Sequence, residues 1–374
     1  MSHRDLLRFF EAHKADNTSG LVLATVYDTL GSTYSKAGDR MLIAGNGDFQ
    51  GMLSGGCLEG DLAERAARVA SSGECQQVTY DLRGSDEELW GLGVGCEGVM
   101  RIFLQPLDAA DNFEPFTTVV KVLNGPANGV VAIVMQSTDP AVAPGASLVG
   151  RVDGPDDSWV TMSSSIAGSL GESVRQAAEQ VIASGQSGHS SVSSDALRAE
   201  IITAVLRPVP RVLVLGGDLD VEPVVRLFND LGWPVTVFDH RPAYIDKGNF
   251  SSAERVICEP ADALEQVVDL ASFDAAIVMS HHLVSDRTYL AALATSDVAY
   301  VGLLGPRDRR RRLMNDLGKP AERLAARLHG PAGMPIGGRG PAAIALSIVA
   351  QMHAALIGQE SSADLVDSSN QSAD

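Results

Sequence analysis

The sequence predicts an α/β chain in which a small β-rich α+β domain precedes a doubly wound parallel-sheet domain. Three observations carry that expectation. From Arg211 onward, continuous apolar runs of strand length alternate with helix-length stretches, the pattern of a parallel sheet covered on both faces. Before that point the apolar segments are short and broken by glycine loops and hairpin signals. Between the two regimes, Arg207-Pro-Val-Pro210 reads as a stiff linker. The expected organisation is an N-terminal domain over residues 1-206, a Rossmann-like domain over 207-358 and a disordered polar tail over 359-374.

A length of 374 residues allows two or three domains of ~150 residues each. The formal charge of -18 excludes nucleic acid as a general partner, because a polyanion is repelled by the mean field. A small anionic ligand is not excluded, since it responds to local donors. Met1 to Glu11 interrupts its apolar residues with charges and offers no signal-peptide core, and no run approaches the ~18 apolar residues of a membrane span. Four cysteines without CxxC spacing do not form a disulfide framework, so a reducing cytoplasm is the expected compartment.

Leu6, Leu7, Phe9 and Phe10 give residues 2–15 a helical spacing, with Ser2 as N-cap. Leu21 to Val26 and Met41 to Ala44 read as buried strands around a turn at Thr29 to Thr33, and Asn46-Gly47 is a hairpin signal. Next stands Gly51-Met-Leu-Ser-Gly-Gly-Cys57-Leu-Glu59-Gly60. Its paired glycines, Gly55 and Gly56, permit positive φ and leave room for a ligand. Leu58, Leu62, Ala66 and Val69 continue at helical spacing, which puts Cys57 at or just before a helix N-terminus, where unpaired N–H groups favour a thiolate. A strand at Gln76 to Tyr80 and an acidic loop lead to Gly91-Leu-Gly93-Val-Gly95-Cys96-Glu97-Gly98, a second cysteine set in glycines. Two such loops suggest one site. The alternative is two small buried residues in tight turns, since free cysteine is commonly buried and inert. Beyond Asn112 the signals weaken to a helix at Phe116 to Leu123, a strand at Gly129 to Met135, a helix at Ser169 to Ser184 and a strand at Leu197 to Leu206, and no internal repeat is legible.

In the second domain, strands are expected at Arg211 to Leu215, Pro234 to Phe238, Arg255 to Ile257, Ala275 to Met279 and Val298 to Leu304. Helices are expected at Val221 to Leu231, Asp262 to Leu270, Asp286 to Ala294 and Arg307 to Leu317, and a last one over Gly340 to Ile357 has Pro341 in its first turn. Ligands of such sheets bind beyond the strand C-termini, which places Gly216, Gly217, Asp239, His281, His282 and Gly305 at the candidate site. Gly216-Gly217 with Asp239 roughly 20 residues on resembles an NAD(P) site, but G-x-G-x-x-G requires glycine where Asp218 and Val221 stand. A carboxylate ~4 Å from a phosphate costs ~4 kcal/mol at an effective dielectric of ~20, against ~0.3–1 kcal/mol from the helix dipole. Repulsion outweighs attraction, and Asp218 and Asp220 read as an acidic helix cap. His281 or His282, with Asp286, is either a proton carrier oriented by a carboxylate or a structural hydrogen-bonding group. Arg307, nearest the strand end in the basic run to Arg312, is a candidate anion ligand, and the rest of the run reads as solvated surface. Cys75 and Cys258 lack a glycine setting and read as packing residues.

Leu23-Ala-Thr-Val26, Gly31-Ser32, Gly38-Asp-Arg-Met41, Gly55-Gly-Cys-Leu-Glu59 and Gly91-Leu-Gly-Val-Gly-Cys96 resemble the amino-terminal domain of the XdhC/CoxI family. Val235-Thr-Val-Phe-Asp-His-Arg241, Met279-Ser-His-His282 with Asp286, Tyr300-Val-Gly-Leu-Leu-Gly-Pro306 and Pro335-Ile-Gly-Gly338 with Pro341 resemble its Rossmann-type carboxy-terminal domain. The chain departs from the family at Gly216-Gly-Asp-Leu-Asp, where members carry a cleaner glycine loop, and at Ala342-Ala343, where they carry an acidic residue. The resemblance implies an accessory protein that binds molybdenum cofactor (molybdopterin), supports its sulfuration beside a cysteine desulfurase, and delivers it to xanthine dehydrogenase or carbon monoxide dehydrogenase. It implies Cys57 as the primary thiolate and metal ligand, Cys96 as a second ligand or resolving thiol, and Glu59 as loop anchor or acceptor of a pterin N–H. Gly55, Gly56, Gly93 and Gly95 would offer backbone N–H groups to the pterin phosphate, and Gly216, Gly217, Asp239, His281, His282 and Arg307 would supply contacts from the second domain. An NAD(P)-dependent oxidoreductase with His281 or His282 as acid is the rival reading, and an assembly scaffold that holds no cofactor is the third. A homodimer is compatible with each.

Overall fold

Strand β1 (Leu21–Gly31) sets the plan of the first half of the chain, because residues on both its faces are buried. Leu21 and Leu23 enter one core while Val22, Ala24 and Val26 enter another, the period of two of a strand. With β2 (Arg40–Ala44), β3 (Phe49–Gln50), β4 (Gln76–Asp81) and β5 (Gly98–Leu107) it forms an antiparallel sheet of order β3-β2-β1-β5-β4. Helix α1 (His3–Asp16) lays Leu6 and Phe10 on one face, and α2 (Glu59–Ser72) lays Leu62, Ala66 and Val69 on the other. The computed structural model describes residues 3–16, 20–83, 98–153 and 158–357. The expected N-cap Ser2 and the expected tail 359-374 lie outside them.

A second sheet repeats the first. After α3 (Phe116–Leu123) come β6 (Gly129–Ser137), β7 (Ser147–Asp153), β8 (Ser158–Ser164), α4 (Gly168–Ser184), β9 (Gly188–Ser194) and β10 (Leu197–Leu206). Their antiparallel order, β8-β7-β6-β10-β9, reproduces that of the first sheet, so among the described residues α-β-β-β-α-β-β occurs twice. The two inner faces share one core, in which Leu23 and Phe103 meet Ile133 and Ile202 along with Phe10 and Phe116 from the two leading helices. The outer face of the second sheet is covered by Leu170, Val174 and Ala178 of α4, as α2 covers the first. The duplication is invisible in the residues because a core position demands apolarity and volume rather than identity. Strand β9, Gly-His-Ser-Ser-Val-Ser-Ser, has no apolar run at all and is held by its pairing to β10.

Val209 opens a second compact unit. Its elements are β11 (Val212–Leu215), α5 (Val221–Asp230), β12 (Val235–Asp239), α6 (Pro242–Lys247), β13 (Arg255–Cys258), α7 (Leu264–Val267), β14 (Ala275–Val278), α8 (Leu283–Thr295), β15 (Tyr300–Leu303), α9 (Arg307–Leu317), α10 (Pro320–Leu324), β16 (Leu328–His329) and α11 (Pro341–Leu356). The sheet is parallel throughout, in the order β13-β12-β11-β14-β15-β16, the doubly wound arrangement. Val212, Val214, Val235 and Val237 face α5 and α11, whereas Leu213, Leu215, Phe238 and Val278 face the side of α8 to α10. Burial on both faces is why these strands read as continuous apolar runs. The helix expected over Asp262 to Leu270 is reduced to α7, because the chain turns extended at the β-branched Val268, φ -127. Among the described residues no helix is long and apolar enough to cross a membrane.

Candidate functional site

The Cys57 loop is built by one carboxylate and one hydroxyl. Glu59, first residue of α2 and almost fully buried, accepts from the N–H groups of Leu53 (3.0 Å) and Ser54 (2.9 Å) on Oε1, and from Ser54 Oγ (2.6 Å) and Leu58 N–H (3.2 Å) on Oε2. Ser54 Oγ in turn accepts from Cys57 N–H (3.1 Å) and Leu58 N–H (2.8 Å). Burial opposes ionisation of Glu59, but the Ser54 hydroxyl and the backbone N–H groups outweigh it and hold the carboxyl below its ordinary value. Gly55 and Gly56, at φ +76 and +108, carry the chain between these anchors, and their N–H groups take part in none of these bonds. Cys57 is thus half-buried, seated against the outer core of the first sheet, with a free thiol. Gly51 is equally constrained: at φ +127, a Cβ there would lie 2.5 Å from Met41 Cα.

Cys96, Gly93 and Gly95 lie outside the described residues. Gly98, which resumes the chain, sits against Ser32 and Thr33, and the neighbouring Tyr34 ring lies 3.5 Å from where Gly55 would carry a Cβ. One loop between β1 and β2 therefore borders both Gly55 and Gly98. Tyr34 and Met52 are exposed. Cys75 is half-buried, and burial pushes its thiol up to about 11, so it is an unreactive packing residue. Cys258, expected as a packing residue, is instead exposed at the end of the edge strand β13.

In the second unit the predicted residues do gather at the strand C-termini, but mostly in internal partnerships. Asp239 is completely buried, and Arg241 grips it through Nε (2.9 Å), Nη2 (2.7 Å) and its backbone N–H (2.8 Å). Gly217 N–H, which in a dinucleotide loop would face pyrophosphate, donates to the same carboxylate at 2.7 Å. Gly216, at φ +143, packs where a Cβ would stand 2.6 Å from Met279 O, closing β11 onto β14 at the switch point. Asp220 makes no helix-cap bond, contrary to the acidic-cap reading, and its Oδ2 lies 2.8 Å from His281 Nε2. The Asp220 carboxylate raises the His281 pKa against the opposing effect of burial. His281 holds φ +55, a conformation uncommon for a residue with a side chain. His282 is the N-cap of α8 and accepts from Ser285 N–H at 3.3 Å, while Asp286 pairs with Arg309 (2.6 Å) and Ser280 (2.5 Å) rather than with either histidine. Arg307 is exposed. Among the described residues no group of three or more His, Cys, Asp or Glu is placed to hold a metal ion.

Ser54 and Asp220 were missed as site-forming residues. Ser54 had a local signal, a hydroxyl just ahead of a helix start with Glu59 five residues on. Asp220 had none, since its partner is distant in sequence.

A free thiol on a glycine turn ahead of a helix thus stands in one chain with a doubly wound unit whose Gly217 N–H is turned to the internal carboxylate of Asp239. The chain belongs to the XdhC/CoxI family: residues 15–81 match the XdhC and CoxI family model, and residues 212–352 match the XdhC Rossmann domain. It is 27% identical over 331 residues to a probable xanthine dehydrogenase subunit of Bacillus subtilis, covering 88% of this chain and 92% of that protein. It is 28% identical over 108 residues to the molybdenum cofactor insertion chaperone PaoD of Escherichia coli, covering 29% of this chain and 33% of that protein. A crystal structure described as a xanthine dehydrogenase from Bacillus halodurans superimposes with a TM-score of 0.73 at 28% identity, covering 95% of this chain and 96% of that one.

Proposed function

We propose that the protein binds molybdenum cofactor at the Cys57 loop and acts as an insertion chaperone for a molybdenum hydroxylase of the xanthine dehydrogenase type. The observation that carries this reading is a thiol lifted on Gly55-Gly56 and locked from beneath by Glu59 and Ser54. A soft thiolate suits a sulfur-ligated metal centre, and the N–H groups of Gly55 and Gly56 suit the phosphate of the pterin. Glu59 serves as the anchor of the loop, not as a pterin acceptor, because all four of its bonds are internal. Similarity to a named cofactor insertion chaperone supports the cargo. In this reading a cytoplasmic cysteine desulfurase sulfurates the cofactor while it is held, Cys96 is the second thiol, and the loaded protein, alone or as a homodimer, then meets xanthine dehydrogenase or carbon monoxide dehydrogenase. NAD(P) has no free ribose acceptor at Asp239 and meets Asp218 where pyrophosphate would lie, so an oxidoreductase is the weaker reading.

The test is anaerobic equilibrium binding of released molybdenum cofactor to the wild type and to Cys57→Ala, with NAD and NADH titrated into the same preparations. The expected result is saturable binding that Cys57→Ala weakens about tenfold or more, which is ~1.4 kcal/mol. Micromolar NAD(H) binding with no cofactor retained overturns the proposal.

A further inference from the structure

The loop between β1 and β2 sets an aromatic ring against the diglycine turn. Tyr34 is 61% exposed, and its Cδ2 and Cε2 lie 3.5 and 3.6 Å from where Gly55 would carry a Cβ. The ring stands in solvent, but the main chain on either side of it is fixed. Thr33 Oγ1 donates to Ser35 O at 2.8 Å, a bond that spans Tyr34. Ser35 is buried, and its hydroxyl donates to Met52 O at 3.5 Å, which ties this segment to the residue ahead of Leu53. Gly98 closes on the same segment, since a Cβ there would stand 2.5 Å from Ser32 O and 2.6 Å from Thr33 Cγ2. An exposed ring on an anchored segment leaves a ligand that covers it little ordering to impose.

The second α-β-β-β-α-β-β repeat is an internal control. Its β6–β7 connection, Thr138 to Ala146, contains no aromatic residue. Its β8–α4 connection together with the first turn of α4, Ser165 to Gly171, contains neither cysteine nor carboxylate. Among the described residues its one exposed large apolar side chain is Val160, against Leu30, Tyr34, Phe49 and Met52 in the first repeat. A feature that the fold requires recurs in both copies, whereas the thiol, the anchoring acid and the exposed ring occur together in one. Tyr34 therefore belongs with the Cys57 turn and not with the architecture.

The face of an exposed tyrosine receives a flat heteroaromatic ring through stacking and dispersion. We propose that Tyr34 is the stacking platform for a pterin ring, that of the molybdenum cofactor, which lies on the Tyr34 face above the Gly55-Gly56 turn. This rests on the carrier reading above and adds to it the residue that recognises the organic part of the cargo. A thiol and backbone N–H groups do not tell a pterin from another phosphorylated metal complex; a ring platform does.

The experiment titrates the full-length protein anaerobically with molybdenum cofactor and with 6-hydroxymethylpterin, which has the ring but no metal, sulfur or phosphate. Wild type, Tyr34→Leu, Tyr34→Phe and Tyr34→Trp are compared; the position is exposed, so each variant is expected to fold. Tyr34→Leu is expected to weaken both ligands about tenfold, while Tyr34→Phe and Tyr34→Trp stay within about threefold of wild type. Ligand NMR supplies a signature that a structural role would not give: the C7 proton of hydroxymethylpterin moves upfield on the wild type, through the ring current, and does not on Tyr34→Leu. Cofactor bound within about twofold by wild type and Tyr34→Leu overturns the platform and leaves the carrier reading standing. A loss in Tyr34→Leu that neither Phe nor Trp restores also overturns it, because an aromatic ring is then not what matters. Hydroxymethylpterin bound with the upfield shift while no cofactor is retained sustains the platform and overturns the carrier reading. No saturable binding of either ligand by the wild type overturns both.

Discussion

The Cys57 loop hangs on Glu59, so Glu59→Gln tests the architecture of the site without changing its size. Glutamine keeps one carbonyl oxygen, enough for the N–H groups of Leu53 and Ser54. Its amide NH₂ then faces Leu58 N–H, donor against donor, and the Ser54 hydroxyl, already accepting two N–H bonds, loses the acceptor for its own proton. Glu59 is 3% exposed and Leu53 fully buried, so water does not substitute. Charge-assisted bonds of about 1.5–3 kcal/mol become neutral ones of about 0.5–1.5, and a buried donor or hydroxyl is left short at about 1–3, for a total near ~3 kcal/mol. That corresponds to roughly 100-fold more frequent local opening. Hydrogen exchange by mass spectrometry over residues 50–60, with β1 as internal reference, reads this as about 100-fold faster exchange, and alkylation of Cys57 reads the same opening chemically. Because the folded Glu59 carboxyl lies below its ordinary value of 4.5, the wild-type contribution is fully present above about that pH and is lost as pH falls through the folded value. The glutamine variant lacks this acid transition. An exchange rate within about threefold of wild type, at neutral pH, would refute the claim that one carboxylate holds the loop.

Two further outcomes follow from the second unit. Asp239→Asn leaves Arg241 without its fully buried carboxylate, and urea unfolding followed through Trp233 is expected to show a loss of about 3–5 kcal/mol; a loss under about 1 kcal/mol contradicts the buried pair. His281 titrates above its ordinary value of 6.5 through Asp220, so the stabilisation from that pair is present below about pH 6.5 and lost as pH rises through the raised value. NMR titration of the His281 ring in Asp220→Asn is expected to move its pKa downward, and an unchanged midpoint removes the pair from the account.

The doubly wound unit was legible because parallel strands buried on both faces must be apolar at every position. Val212 to Leu215 and Ala275 to Val278 carry that signature without any help from their neighbours. The Gly55-Gly56-Cys57 turn ahead of an amphipathic helix was legible for a similar reason, since φ, helix period and cap chemistry are properties of a few adjacent residues. The sequence by itself therefore determined the sheet class, the position of the thiol at a helix start and the family motifs that span both units.

What only the tertiary structure decided are pairings between distant or degenerate positions. The α-β-β-β-α-β-β repeat emerges from strand order, because β8 and β9 are serine-rich strands whose identity comes from hydrogen-bonded neighbours and not from their own composition. Asp239 reads locally as a ribose ligand and is instead consumed by Arg241 and Gly217; His281 reads as a partner of Asp286 and instead meets Asp220 across the switch point. A side chain's nearest charge is set by how the sheet brings strand ends together, and one-dimensional spacing holds no record of that distance.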